Sequence, residues 1–114
     1  MGKLIYEGSV SAEFEDRLLA HIQFVTQSKL RRGEPFILTW TDHLSLGGGR
    51  SSVWIHPHAS LLFKFHGSRV PELNPHWLTA LSSAANSPRG LYAVREPAPP
   101  RPPHTVANAS TTAR

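Results

Sequence analysis

The chain has 114 residues, a net charge of +4 from twelve Lys/Arg against eight Asp/Glu, and no cysteine. That length accommodates one domain, and the missing cysteines exclude disulfides, thiolate chemistry and Cys-ligated zinc in this sequence. No run approaches the apolar length of a membrane span and Met1–Gly8 has no apolar core, so neither a span nor a secretory leader is read and the cytoplasm is the expected compartment.

In chain order, Leu4 and Tyr6, then Val10, Ala12 and Phe14, alternate with polar residues around a Gly8-Ser9 turn, the pattern of a short hairpin. Asp16 is placed to cap a helix whose apolar positions Leu18, Leu19, Ile22, Val25 and Leu30 recur at three- and four-residue spacing. Lys29, Arg31 and Arg32 fall in its last turn, where the helix dipole favours cations, and Gly33 supplies the stop.

Phe36, Leu38 and Trp40 then alternate along a strand, and Ser45 to Gly49 reads as a flexible loop. A second strand runs from Arg50 to His56, with Val53 and Ile55 on one face and Ser52, Trp54 and His56 on the other. After the Pro57-His58-Ala59-Ser60 turn, Leu61, Phe63 and Phe65 line one face of a third strand. Connections this short predict an antiparallel meander of these three. Asn74-Pro75 starts a second helix, with Trp77, Leu78, Leu81 and Ala85 as its apolar stripe, and Leu91 to Val94 gives a last strand. The order β-β-α-β-β-β-α-β predicts an α+β fold, a mainly antiparallel sheet with two helices packed on one face.

Composition changes near Glu96. Residues 97–114 hold five of the ten prolines and almost no large apolar side chain, so a disordered Pro-rich tail is expected after a single domain at 1–96. Arg101 and Arg114 lie in that tail, which has no acid, so the domain itself carries only +2.

Several blocks of the sequence stand out: Met1 to Leu4 with Tyr6, Lys29 to Glu34, Trp40, Gly49 to Ser51 with Trp54, His56 and Pro57, then Leu61, Phe63, Phe65 and Gly67. Pro71 to Asn74, Trp77, Ala85 to Ser87, Gly90 and Leu91 complete the set. In these blocks the chain resembles a family of small actinobacterial proteins of about 100 residues, a domain of unknown function often labelled "ATP-dependent DNA ligase". The resemblance implies an association with DNA ligase systems. A nucleotidyltransferase needs a lysine nucleophile followed by x-Asp-Gly. Lys3, Lys29 and Lys64 stand in Gly-Lys-Leu, Ser-Lys-Leu and Phe-Lys-Phe, so the residues predict no catalysis.

Candidate sites divide by chemistry. Gly47-Gly48-Gly49-Arg50 looks like a phosphate loop but leads into a strand, so it reads as a hairpin loop with Arg50 available for an anion. His56 and His58 could chelate a metal with His43 or His66, yet Pro57 interrupts the strand and carboxylates are scarce nearby; a turn with solvated histidines is the plainer reading, and no metal or cofactor is expected. Glu72 reads as a local capping or Arg69-pairing group, and Glu13 and Glu15 as solvated acids near a sheet edge.

Arg50, Trp54 and His56 alternate on one strand face, with Lys64 on the matching face of the next strand and Arg31 and Arg32 able to extend the surface. Basic residues around an exposed tryptophan are how single-strand binders combine phosphate attraction with base stacking. DNA or RNA is therefore the expected partner. The alternative is a protein-interaction adaptor or homodimerisation domain, acting through the apolar sheet face or the Pro-rich tail.

Overall fold

In a computed structural model, residues 1–42 and 47–98 are described. Five strands and two helices follow in order: β1 Gly2–Tyr6, β2 Val10–Phe14, α1 Asp16–Arg31, β3 Phe36–Thr41, β4 Arg50–Ile55, β5 Leu61–Lys64 and α2 Pro75–Ala85. The fold is α+β with antiparallel strand pairs, as the sequence indicates. His43, and the expected tail from residue 99 onward, lie outside the described residues.

The β1–β2 hairpin turns on Glu7 and Gly8, both at positive φ (52° and 74°), a backbone matched to the twist of a tight hairpin. Leu4, Ala12 and Phe14 face inward and are buried, the period-2 pattern the sequence shows. Glu7 also fixes a distant segment: its N–H donates to the Ser60 carbonyl at 2.8 Å, and its carboxylate accepts the Ser60 N–H at 2.7 Å.

The expected meander does not form. The strands make two sheets, β2-β1-β5 and β3-β4, because β5 pairs antiparallel with β1 rather than β4. The reason lies at the free edge of β4. Ile37 and Thr39 direct their backbone groups to Leu91, so the Trp54 carbonyl points away from β3, and the Tyr6 hydroxyl donates to it at 2.7 Å. That carbonyl is thus taken by a side chain where a third strand would bond, and the Pro57 turn carries the chain across to β1 instead.

The expected last strand shrinks to one residue. Leu91 bridges to Leu38 in parallel sense, and residues 92–98 are irregular. Gly90 permits this approach: at φ 84° a Cβ would lie 2.5 Å from the Ile37 carbonyl oxygen. Beyond Leu91, side chains hold the segment. Trp77 Nε1–H donates to the Val94 carbonyl at 2.8 Å, and Arg17 grips Glu96.

The helices pack on each other and on the sheets' inner faces, α1 against β1 and α2 against β3. One core joins Leu4, Phe14, Leu19, Ile22, Leu38, Trp40, Ile55, Trp77, Leu81 and Leu91. Burying a side chain such as Leu81, with no exposed surface left, contributes roughly 1.5–3 kcal/mol.

Helix ends bring one confirmation and one correction. Asn74 caps α2, its side chain accepting the His76 N–H at 3.0 Å, with Pro75 at the first helical position. Asp16 does not cap α1. It is the first helical residue, Glu15 is the cap position without a side-chain bond, and the Asp16 carboxylate accepts the N–H groups of His66 (3.0 Å) and Gly67 (2.8 Å). Those two donors hold the Asp16 carboxyl below its usual range. The pull of a turn fifty residues away displaces the local cap.

His21 is fully buried and fixed in one tautomer. The Asn74 backbone N–H donates to its Nε2 at 2.8 Å, so the ring proton is on Nδ1, which donates to the Arg17 carbonyl at 2.7 Å. Its ring lies 4.4 Å from that of Trp77, joining α1, the α2 cap and the C-terminal segment in one polar cluster. Glu72 joins that cluster through its backbone carbonyl, which accepts from Arg17 at 2.9 Å, in place of the expected side-chain cap or Arg69 pair.

Candidate nucleic-acid interface

The outer face of the β3-β4 ribbon carries the site. Because Phe36, Leu38 and Trp40 alternate inward, Ile37, Thr39 and Thr41 must face out. Their cross-strand partners on β4 are Trp54, Ser52 and Arg50. Trp54 is 52% exposed, unusual for the largest apolar side chain. Thr39 Oγ1 and Ser52 Oγ stand 2.7 Å apart in the middle of the face.

Leu91 adds a third edge to this ribbon, and with it come Arg89 and Tyr92. Tyr92 is 40% exposed, and the Arg89 guanidinium carbon lies 5.2 Å from its ring centroid, a cation–π contact. Arg50, Ser52, Thr39, Arg89 and Tyr92 line a cleft of about 930 Å³, as do Glu13 and Glu15. The floor is firm. Trp40 is buried there, with its Nε1–H donating to Asp42 at 3.1 Å, and Ser51 donates to the other Asp42 oxygen at 2.7 Å.

Of the six residues singled out in the sequence, Arg50 and Trp54 lie on this face, and His56 follows the inward-facing Ile55 just past the end of β4. Lys64 is on β5, in the other sheet, opposite Lys3. The expectation that it lies beside β4 fails with the meander. Arg31 and Arg32 sit at the end of α1 and do not line the cleft. Arg32 is an ion-pair partner of Glu34 at 3.2 Å, and Lys29 reaches the same carboxylate at 3.3 Å while its buried ammonium also donates to Asn86. Arg32 first, then Lys29, lowers the Glu34 carboxyl. The single Glu34 carboxylate thus offsets one of the three positive charges expected at this helix end, shared between Lys29 and Arg32.

His56 is half-buried just past β4, its Nδ1 accepting the His58 N–H at 3.3 Å, and the two rings are 6.4 Å apart. Among the described residues, no group of three His, Cys, Asp or Glu side chains could hold a metal. Gly47 to Gly49 lead directly into β4, which begins at Arg50.

Sequence reasoning misses Arg89 and Tyr92. Pro88-Arg89-Gly90-Leu91-Tyr92 contains a signal in principle: a glycine permitting close backbone approach, flanked by a base and an aromatic ring. Only the Leu38–Leu91 bridge shows that this segment borders the face.

Fold and cleft together define a small α+β domain with a basic-aromatic ribbon face. The chain belongs to the family described as a domain of unknown function, DUF7882, whose model matches residues 1–96. No curated protein and no solved structure matches it. No helix among the described residues is long and apolar enough to cross a membrane.

Proposed function

We propose that this domain is a cytoplasmic, non-catalytic module that binds single-stranded nucleic acid on the outer face of β3 and β4. One observation carries the reading: two exposed aromatic rings, Trp54 and Tyr92, border opposite edges of one ribbon, with Arg89 against Tyr92 and Arg50 on the same face of β4 as Trp54. Stacking platforms flanked by guanidinium groups suit bases that are free of a duplex. The arrangement favours Arg50, Trp54, Arg89 and Tyr92 as the contact set, with Arg31, Arg32, His56 and Lys64 outside it.

Trp54 gives a direct test, because Trp40 and Trp77 are buried and Trp54 is not. Base stacking on Trp54 quenches tryptophan fluorescence on titration with a single-stranded oligonucleotide, and Trp54→Phe abolishes the quench while affinity largely persists. A quench of equal size in Trp54→Phe refutes the contact.

A second reading has its own observation. On the outer face of the first sheet Leu62, 54% exposed, lies across the ladder from Ile5. An apolar pair there suits a protein partner or a second copy of this chain, and salt-tolerant self-association in sedimentation would favour it. The association with DNA ligase systems implied by the resemblance is a third reading; a covalent adenylate on lysine is its signature.

A further inference from the structure

We propose that His21 is a pH-sensitive latch: uptake of one proton by its ring releases the C-terminal segment from the starts of α1 and α2. The inference concerns the fold itself and holds whether or not the ribbon face takes a nucleic acid. It starts from one juxtaposition. Glu96 is held by two residues, Arg17 and Asn74, and both are hydrogen-bonded to the His21 ring.

His21 has no exposed surface, and neither ring nitrogen has bonding capacity to spare. Nδ1 carries the proton and donates to the Arg17 carbonyl at 2.7 Å, while the Nε2 lone pair accepts the Asn74 N–H at 2.8 Å. A second proton can enter only at Nε2, where it meets the Asn74 N–H, donor against donor. An imidazolium therefore requires Asn74 to move away. The same residue caps α2 through its side-chain oxygen and donates to Glu96 through Nδ2 at 2.9 Å. Displacing it loosens the cap and removes one of the three bonds on the Glu96 carboxylate. Trp77 stands next in line, its ring 4.4 Å from that of His21 and its Nε1–H on the Val94 carbonyl at 2.8 Å.

The charges around the ring offer the proton no other partner. On α1, the Arg17 guanidinium lies 5.9 Å from the Trp77 ring centroid and adds positive charge. On the C-terminal segment, the Glu96 carboxylate is engaged by Arg17 and Asn74. On the approach to α2, Glu72 meets the cluster through its carbonyl, and both Glu72 and His76 are exposed. Opening frees the imidazole to water, where such a ring binds a proton near about pH 6.5. The open form takes up the extra proton and the closed form has no place for it, so acid favours opening and rising pH favours closure.

The test is amide and indole hydrogen exchange by NMR on the full chain, read as protection factors at about pH 7.5 and about pH 5.5. One proton taken up on opening predicts that protection of the Asn74 N–H and the Trp77 indole falls about tenfold across that window. Protection at Ile22 and Leu81 should stay within about twofold, as for a local opening. Glu96, lowered to about 2, stays ionised throughout and does not contribute. His21→Gln, whose amide accepts and donates but does not titrate, should abolish the fall, and His76→Gln should keep it. Unchanged protection at Asn74, or an equal fall at Ile22 and Leu81, overturns the inference. A fall that persists in His21→Gln or vanishes in His76→Gln overturns it too. Should the buried substitution not fold, the His21 ring nitrogen shifts of the unaltered protein take its place. A closed-state ring still neutral at about pH 5.5 supports the latch, and an imidazolium formed while Asn74 stays protected overturns it.

Discussion

Arg17 and Glu96 stand 79 residues apart in sequence and meet through two parallel hydrogen bonds of 2.9 and 2.7 Å. This fork fastens the segment after Leu91 to the start of α1, and Asn74 adds a third bond to the same carboxylate at 2.9 Å. Arg89, Leu91 and Tyr92 lie in the stretch leading to that fastening. The chain's own C-terminal segment thus completes the third edge of the proposed binding face.

The fastening is sensitive to acid. Hydrogen bonding from Arg17, then from Asn74, lowers the Glu96 carboxyl from 4.5 to about 2. A carboxyl depressed in the folded state stabilises fully above its unfolded value. That contribution is lost as pH falls from about 4.5 towards about 2, because the unfolded chain then binds the proton more readily. Glu96→Gln should therefore lower the melting temperature at pH 7, with the gap to the parent narrowing as pH drops below 4.5. Thermal melts of both proteins across that window check it; a gap independent of pH contradicts the assignment.

Asp16 predicts a local effect rather than a global one. Asp16→Asn keeps the shape of the side chain but removes the charge and one of the two acceptors holding the His66 and Gly67 N–H groups. Amide hydrogen exchange at His66 and Gly67 should speed up more than at Leu19 or Ile22 in the same helix. Uniform acceleration across α1 would mean that Asp16 acts on the helix itself.

Two glycines with similar backbone angles should respond differently to alanine. Gly8 at φ 74° has no atom within 4 Å of a Cβ position, so Gly8→Ala should cost about 1–2 kcal/mol, the left-handed penalty alone. Gly90 at φ 84° adds a collision with the Ile37 carbonyl, and Gly90→Ala should cost about 3 kcal/mol or more. It should also loosen Tyr92 from the ribbon. Urea denaturation of the two variants measures the difference.

Tryptophan substitutions should separate stability from binding. Trp77→Ala removes a buried ring and its bond to Val94, at about 3–5 kcal/mol of stability. Trp54→Ala should change stability by no more than about 0.5 kcal/mol and weaken single-strand binding by about 1–3 kcal/mol. Denaturation midpoints and oligonucleotide affinities on the same samples decide it.

Sequence reasoning succeeds where a few adjacent residues settle the outcome. Asn74-Pro75 starts α2, Gly33 at φ 69° follows α1, and inward alternation of Phe36, Leu38 and Trp40 leaves the opposite face open for Trp54. It fails where distant groups compete. The Tyr6 hydroxyl at the Trp54 carbonyl and the Glu7–Ser60 bonds send β5 to β1, and no local pattern in residues 50–66 contains that information. The site follows the same division. Arg50 and Trp54 are visible from alternation on one strand, whereas Lys64 is misplaced by the wrong pairing and Arg89 and Tyr92 enter only through a single-residue bridge.

The central claim is that Arg50 and Arg89 hold the phosphates of a single strand across the β3-β4 face. Its most direct test is anisotropy of a labelled single-stranded oligonucleotide across a salt series, for the parent and for Arg50→Ala with Arg89→Ala. Two phosphate contacts on a single strand predict micromolar binding at low salt, with log affinity falling at a slope of about −1.4 against log salt. The double substitution should abolish most of that slope without shifting the melting temperature by more than a few degrees. No binding at low salt, or a slope unchanged by losing both arginines, would contradict the account.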